Sequence, residues 1–171
     1  MKIAVLKEQA AGETRVALTP ETAKKFIALG AEVSVEAGAG ETAAIADSAF
    51  RDAGASVGPA AEVVKDAGIV LGVQAPDPAA LAGAKPGAKV AALFDPFRDG
   101  ARVEAYASAG YEALSMEFMP RITRAQSMDV LSSQSNLSGY KAVIAAADQY
   151  GRAFPMMMTA AGTVQAARVF I

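Results

Sequence analysis

Short apolar runs alternate with alanine-rich amphipathic segments along most of the chain, and this alternation constrains the possible folds more than any other feature. The predicted strands are the apolar runs at 3–6, 32–36, 69–73, 90–94 and 111–116. Most of these runs are apolar at both odd and even positions, which is typical of strands covered by helices on both faces. The pattern therefore predicts an α/β fold built on a parallel sheet.

The first predicted helix has a well-marked start and end. Thr19 is placed to cap it, Pro20 suits its first turn, and Gly30 ends it. Further helices are predicted around 43–53, 60–67, 99–109 and 139–150. The first three of these lie between predicted strands, as the crossover connections of a parallel sheet require.

Composition restricts the chemistry that the chain can perform. Sixteen basic and eighteen acidic residues leave a net charge of −2, without the clustered basic excess typical of a nucleic-acid binder. Histidine and cysteine are both absent, which excludes histidine bases, thiol nucleophiles and the common zinc and iron–sulfur sites. No metal site is predicted. Catalysis would therefore depend on the remaining polar side chains or on a bound cofactor.

The chain also lacks the signals of a membrane-spanning or secreted protein. No stretch approaches the roughly 20 apolar residues that a spanning helix needs, and the N-terminus begins a strand rather than a signal peptide. We expect a soluble, intracellular protein.

The loop at 7–20 follows the first predicted strand, where ligand crevices open in α/β folds. Lys7 and Arg15 could hold an anion there. An ordinary surface loop in which Arg15 pairs with Glu8 or Glu13 explains the same residues.

A Gly-x-Gly-x-x-Ala pattern at 38–43 follows the second predicted strand. Such glycines allow a backbone to approach a pyrophosphate. Here Glu36 and Glu41 flank the turn and would repel phosphate, and 41 alanines make the spacing common by chance. A tight turn between a strand and a helix explains the pattern better than a dinucleotide site.

The polar segment 120–136 is the strongest candidate site. A cation, a side-chain amide, a carboxylate and a hydroxyl lie within twelve positions, namely Arg121, Gln126, Asp129 and Ser132. This set could orient a carboxamide and ribose hydroxyls through fixed hydrogen bonds, and its last three members could share one helical turn. A capped helix start with a solvated polar face is the alternative.

The last part of the chain contains two apolar features. The methionines at 156–158 are predicted to pack in the core, with a pliable contact surface as the alternative. The final run at 166–171 resembles the opening strand of another βαβ unit. A chain of 171 residues fits one domain, or one domain plus the start of another. Because no turn or helix follows this run in the sequence, we expect a truncation here rather than a terminal edge strand.

Two segments carry a resemblance to a known family. The segment 121–171, beginning RITRAQSMDVLSSQSNLSGYKAV, resembles the NAD(H)-binding component of the alpha subunit of proton-translocating NAD(P) transhydrogenases. The segment 7–22, KEQAAGETRVALTPET, is similar to the signature shared by transhydrogenases and alanine dehydrogenases. The resemblance covers essentially the whole chain.

This resemblance implies a flavodoxin-like or Rossmann-like doubly wound sheet, truncated at the start of a second Rossmann domain. It implies an N-terminal domain at 1–135, a connecting helical segment at 136–165 and the first strand of the NAD-binding domain at 166–171. The function implied is hydride transfer between NADH and NADP+, coupled to proton translocation by a membrane-embedded component. The fragment alone is expected to be inactive and to bind NAD(H) weakly or not at all.

The resemblance also implies roles for individual residues. Arg121 and Asp129 would orient the nicotinamide side of NAD(H), with Ser132 nearby, and Gln126 would bridge toward NADP(H) on the partner component. These four residues are the expected cofactor-binding set, and Arg121, Gln126 and Asp129 the expected catalytic set. A homodimer, held at the cytoplasmic side of the membrane through its partner subunits, is implied as well.

The alanine dehydrogenase branch of the family fits less well. Its pattern requires a lysine after a middle strand and a histidine after the next strand. The middle strand here continues into Gln74, Ala75 and Pro76, and the chain has no histidine. A fragment of an amino-acid dehydrogenase is therefore the first alternative, and a non-catalytic subunit-interaction module is the second.

Overall fold

A computed structural model describes residues 1–170 and divides the chain into two compact units, Met1–Met119 and a second unit that begins at Pro120. The first unit contains a six-stranded sheet whose neighbouring strands are all parallel. Its strands are β1 (Lys2–Val5), β2 (Glu32–Glu36), β3 (Ser56–Gly58), β4 (Ile69–Gln74), β5 (Lys89–Leu93) and β6 (Glu112–Ser115). The predicted parallel α/β fold is confirmed.

Two hydrophobic clusters lie on opposite faces of this sheet. Alternate residues of β1 divide between them, because Ala4 belongs to one cluster and Val5 to the other. The helices of the unit are α1 (Pro20–Ala28), α2 (Asp47–Asp52), α3 (Ala60–Val64) and α4 (Gly100–Ser108). Buried residues of α1 and α2 belong to the cluster of Val5, whereas those of α3 and α4 belong to the cluster of Ala4. The sheet is therefore doubly wound.

The strand order is β3-β2-β1-β4-β5-β6, which is the Rossmann order. The chain builds outward from β1 to one edge of the sheet and then resumes beside β1 with β4. In such sheets a crevice opens beyond the carboxyl ends of the two strands where the order reverses. The topology therefore places a crevice beyond β1 and β4.

The second unit contains one long helix and a hairpin. Helix α5 (Val130–Tyr150) is followed by the antiparallel strands β7 (Met157–Thr159) and β8 (Gly162–Val164). The helix begins nine residues before the predicted start at 139, because the serine-rich segment before that position is also helical. No helix among residues 1–170 is long and apolar enough to cross a membrane.

The three methionines are not core residues, so the prediction of core packing is wrong. Met156, Met157 and Met158 are exposed by 56%, 48% and 73% of their surfaces. They lie on and beside a two-stranded hairpin, which has too few strands to enclose them. The pliable contact surface stays a hypothesis.

The predicted strand at 166–171 and the boundaries at residues 135 and 165 stay predictions. Residues 165–170 pair with no strand in the described part of the chain, and Ile171 lies outside it. The division between the compact units falls at residues 119 and 120.

Replacing Thr19 with alanine is expected to lower the free energy of unfolding by about 1 kcal/mol. The Thr19 hydroxyl accepts a hydrogen bond from the Thr22 N–H at the exposed start of α1, and alanine leaves this donor without its cap. Urea unfolding followed by circular dichroism measures the change. Thr19→Ser is the control because it keeps the hydroxyl, and an equal loss in both variants contradicts the capping role.

Candidate functional site

A crevice of about 480 Å³ opens beyond the carboxyl ends of β1 and β4, where the strand order reverses. Its lining includes the apolar residues Leu6, just after β1, and Leu71, in β4. Charged side chains from several elements also line it, namely Lys7, Glu8, Glu36, Asp77 and Arg102. The crevice thus combines apolar and charged groups, as small-ligand sites commonly do.

Glu8 connects the two strands at this point. Its carboxylate accepts the Val73 N–H at 2.6 Å and the Gln74 N–H at 3.1 Å. The pairing of β4 with β5 shifts register between Leu71 and Gln74, which marks a bulge. Burial raises the pKa of Glu8, although the two backbone hydrogen bonds act in the opposite direction. Glu8 therefore ties the loop after β1 to the bulge of β4.

Gly72 is required at this bulge by close backbone contact. A Cβ atom on Gly72 would lie 2.6 Å from the Gln74 carbonyl oxygen. A side chain at this position would therefore displace the end of β4, where the Val73 and Gln74 N–H groups donate to Glu8. This requirement and the role of Glu8 were both missed by sequence reasoning, since an isolated glycine in a strand was their only signal.

Arg15 and Glu13 form an ion pair within the same loop. The Arg15 Nε and Nη2 atoms lie 2.7 and 2.6 Å from the two Glu13 carboxylate oxygens. Gln74 Nε2 donates to Glu13 at 3.0 Å, so this pair is also anchored to β4. The hydrogen bond from Arg15 is the main reason that the pKa of Glu13 falls to about 2.

These contacts decide between the two interpretations of the loop at 7–20. Arg15 pairs with Glu13, as the surface-loop interpretation expects, and the Lys7 Nζ atom lies 3.5 Å from a Glu41 carboxylate oxygen. Both cations proposed for an anion site have carboxylate partners from the chain itself.

Replacing Glu13 with glutamine is expected to lower the free energy of unfolding at pH 7 by about 1–2 kcal/mol, allowing for solvent screening of Arg15. The pKa of Glu13 is depressed in the folded chain, from 4.5 to about 2. Its stabilising contribution is therefore present above pH 4.5 and is lost as the pH falls toward 2.

Urea titrations at pH 7 and pH 3 test this expectation. The wild type should lose part of its stability between these values, and Glu13→Gln should lose less. Glu41→Gln removes an exposed carboxylate whose ion pair with Lys7 is long, at 3.5 Å, and should behave like the wild type. The ion-pair explanation fails if Glu13→Gln and wild type show the same difference between the two pH values.

The Gly-x-Gly-x-x-Ala segment is a tight turn, as predicted. The Gly38 N–H donates to the Asp47 carboxylate at 2.9 Å, and the Glu41 carboxylate packs against Gly38. A Cβ atom on Gly40 would lie 2.5 Å from the Ile45 carbonyl oxygen. The Gly38 N–H is thus already bonded to a carboxylate of the chain, and a second carboxylate lies beside it.

In the second unit, Asp129 begins helix α5. Its Oδ1 atom accepts the Leu131 N–H at 2.9 Å, and its Oδ2 atom accepts the Ser132 hydroxyl at 2.6 Å. The hydrogen bond from Ser132 is the main reason that the pKa of Asp129 is lowered, and the charge of Arg121 adds to this effect. Asp129 is therefore a helix cap and a permanently ionised carboxylate at neutral pH.

The structure joins two of the four predicted site residues, because the Ser132 hydroxyl donates to Asp129 at 2.6 Å. The charge of Arg121 lowers the pKa of Asp129, but no ion pair or hydrogen bond joins Arg121 to it among residues 1–170. Gln126 lies in a 3-10 helix, Thr123–Met128, and its exposed side chain makes no hydrogen bond within residues 1–170. Gln126 and Ser132 thus belong to different helices rather than to one shared turn.

A family model described as "Alanine dehydrogenase/PNT, N-terminal domain" matches residues 4–138. This range covers nearly all of the sheet, the crevice and the segment from Arg121 to Ser132. The chain belongs to this family. This match confirms the resemblance of the segment 7–22, and that of the segment 121–171 as far as residue 138.

Individual relatives of this alanine dehydrogenase/PNT N-terminal domain favour the transhydrogenase branch. The chain is 50% identical over 179 residues to the first part of the NAD(P) transhydrogenase alpha subunit of Rhodospirillum rubrum, covering 100% of this chain and 46% of that protein. A crystal structure of transhydrogenase from Sinorhizobium meliloti superposes with a TM-score of 0.91 and 51% identity, covering 98% of this chain and 50% of that one. The chain thus spans about half the length of these two relatives.

An L-alanine dehydrogenase structure is a more distant match. It superposes with a TM-score of 0.66 and 26% identity, covering 74% of this chain and 35% of that one. In the present domain β4 and the residues directly after it contain no lysine, and the chain has no histidine to follow β5. Residues 1–170 also contain no group of three acidic side chains placed to hold a metal ion.

Proposed function

We propose that the chain is the N-terminal part of the NAD(H)-binding component of an NAD(P) transhydrogenase. The observation that carries this proposal is a group of polar residues in one segment: Ser132 holds the Asp129 carboxylate, the charge of Arg121 acts on it, and the exposed Gln126 lies three residues before it in the chain. Identity of 50% to a transhydrogenase alpha subunit along the whole chain supports it. The proposed activity is reversible hydride transfer between NADH and NADP+, coupled to proton translocation.

The donors and acceptors of this group match a nicotinamide carboxamide. The carboxamide has an NH2 donor and a carbonyl acceptor. The Asp129 Oδ1 atom accepts the N–H groups of both Leu131 and Ser132, whereas the Oδ2 atom accepts only the Ser132 hydroxyl. The Oδ2 atom therefore keeps a lone pair that can accept from the NH2 group. Arg121 and Gln126 offer donors for the carbonyl and for neighbouring hydroxyls. The residues present therefore fit NAD(H).

In this mechanism the chain orients the reactants and exchanges no proton with them. Bound NAD(H) supplies the hydride or accepts it. Asp129, fixed by the helix start and by Ser132, holds the ring orientation, while Arg121 balances its charge. Orientation of this kind is a large part of catalysis when two reactants meet directly. A chain without histidine can perform this role.

The same proposal includes the partners. NADP(H) would be held by a second component, toward which the exposed Gln126 amide would reach. A third, membrane-embedded component would move the proton, and this chain would lie at the cytoplasmic side of the membrane through its partners. A homodimer of the NAD(H)-binding component completes the assembly.

The deciding experiment uses the complete subunit that carries this chain, mixed with the NADP(H)-binding component. We expect hydride transfer from NADH to NADP+ and no alanine-dependent reduction of NAD+. The opposite result would assign the chain to an amino-acid dehydrogenase. The loop after β1 and the sequence argue against that result, because Arg15 is paired with Glu13 and the lysine and histidine positions are not filled.

A Gln126→Ala variant separates a catalytic role from a purely associative one. We expect hydride transfer to fall while the components still associate, as measured by analytical ultracentrifugation. Ser127→Ala, in the same short helix, is the matched control. Loss of association with an unchanged rate per complex would favour the interaction module.

A further inference from the structure

The crevice of the first unit contains a contact that the proposed function does not use. Two consecutive amides of the β4 bulge, at Val73 and Gln74, both donate to one carboxylate, that of Glu8. Each carboxylate oxygen takes one N–H, at 2.6 and 3.1 Å. Paired backbone amides at an irregular strand end commonly form anion-binding concavities.

We propose that the Val73 and Gln74 amides form a binding site for a small carboxylate, and that Glu8 is its built-in occupant. The wild-type crevice therefore excludes free carboxylates at this position. The inference is independent of the hydride-transfer function, since it concerns the first unit alone.

Neighbouring side-chain charges do not explain an anion at this position, because Glu13 disfavours the ionised carboxylate of Glu8 more than Arg15 favours it. The larger favourable effects come from the Val73 and Gln74 N–H groups. The crevice carries further charges on the loop after β1, on β2, beyond β4 and on α4, namely Lys7, Glu36, Asp77 and Arg102. Two of these residues already have hydrogen-bond partners within the chain. The Arg102 Nε atom donates to the Asp99 carboxylate, and the Glu36 carboxylate accepts the Lys7 N–H. The two amides of β4 are thus the groups that fix the carboxylate.

The space also fits the proposed ligand. Glu8→Ala removes one methylene and one carboxylate, which are the non-hydrogen atoms of an acetate ion. The crevice of about 480 Å³ beside the site gives acetate a path from solvent. A variant without the Glu8 carboxylate should therefore bind acetate where the wild type cannot.

The test measures thermal unfolding of the full chain at pH 7 in 100 mM sodium acetate, with acetamide and sodium chloride at matched concentration for comparison. We expect acetate to raise the Tm of Glu8→Ala by about 3–5 °C above either comparison solute, as millimolar binding predicts. Wild type and Glu41→Ala should show no such difference. Glu41 is the matched control because its carboxylate is exposed and contacts no backbone amide pair among the described residues.

A second measurement uses the wild type, so it does not depend on the stability of the variant. The amide proton shifts of Val73 and Gln74 should titrate together as Glu8 is protonated, with a midpoint above the ordinary glutamate pKa. The proposal is overturned if these shifts do not follow one another. It is equally overturned if acetate neither stabilises nor refolds Glu8→Ala, or if acetate stabilises the wild type as strongly.

Discussion

Replacing Gly40 with alanine is expected to lower the free energy of unfolding of the first unit by about 3 kcal/mol. The added Cβ atom would lie 2.5 Å from the Ile45 carbonyl oxygen and 2.9 Å from the Phe50 ring. Neither neighbour can move easily, because Phe50 is completely buried and the Ile45 N–H is bonded to the Gly40 carbonyl. Overpacking at a rigid backbone contact therefore has to distort the turn between β2 and α2.

Urea unfolding followed by circular dichroism measures this loss. Gly100→Ala is the control in the same unit, since Gly100 starts α4 and an added Cβ would have no neighbour within 4 Å. We expect that variant to stay within about 0.5 kcal/mol of the wild type. If Gly40→Ala unfolds at the same urea concentration as Gly100→Ala, the turn is looser than these distances indicate.

Replacing Asp129 with asparagine is expected to slow hydride transfer by about tenfold to a hundredfold, because an orienting contact made in the transition state is lost. The amide group can still accept the Leu131 N–H through its oxygen. Its NH2 group cannot accept from the Ser132 hydroxyl or from a carboxamide, and the charge opposite Arg121 is lost. The complete subunit with its NADP(H)-binding partner is the system to assay.

This substitution separates catalysis from folding. Asparagine caps helices about as well as aspartate does, so the stability of α5 should change little. Arg124→Gln is the control for charge in the same loop, because no contact links Arg124 to Asp129 among the described residues. A wild-type rate in Asp129→Asn, with helix content unchanged, would falsify the orienting role.

The helices and strands that were predicted correctly are those whose local sequence pattern matches the way they pack in the fold. The second predicted strand coincides with β2, and the first helix is capped by Thr19 and followed by Gly30 with a φ of 85°. These features depend on alternation, capping and turn chemistry within a few residues. They are visible in the sequence because they act locally.

Other elements depend on distant partners and were missed. The strand β3 has only three residues, Ser56–Gly58, and exists because β2 offers it an edge. Helix α5 was predicted nine residues too short, since serine and asparagine compete with helical hydrogen bonding in an isolated peptide.

The two candidate sites also differ in how far apart their contacting residues lie in the sequence. Asp129 and Ser132 are three residues apart, so their contact can be expected from a capping pattern. The contact of Glu8 with Val73 joins residues 65 positions apart and depends on a bulge with no clear signature. The contact between Asp129 and Ser132 could therefore be predicted from the sequence, whereas the contact of Glu8 with β4 could not.

The strand order has a consequence for synthesis on the ribosome. β2 pairs with one edge of β1 early in the chain, but the other edge waits for β4, whose first residue is Ile69. The nascent chain thus exposes an apolar, unpaired strand edge until β4 has left the exit tunnel. An edge of this kind can pair with other chains. Ribosome-associated holding factors are therefore expected to act on this protein in that interval.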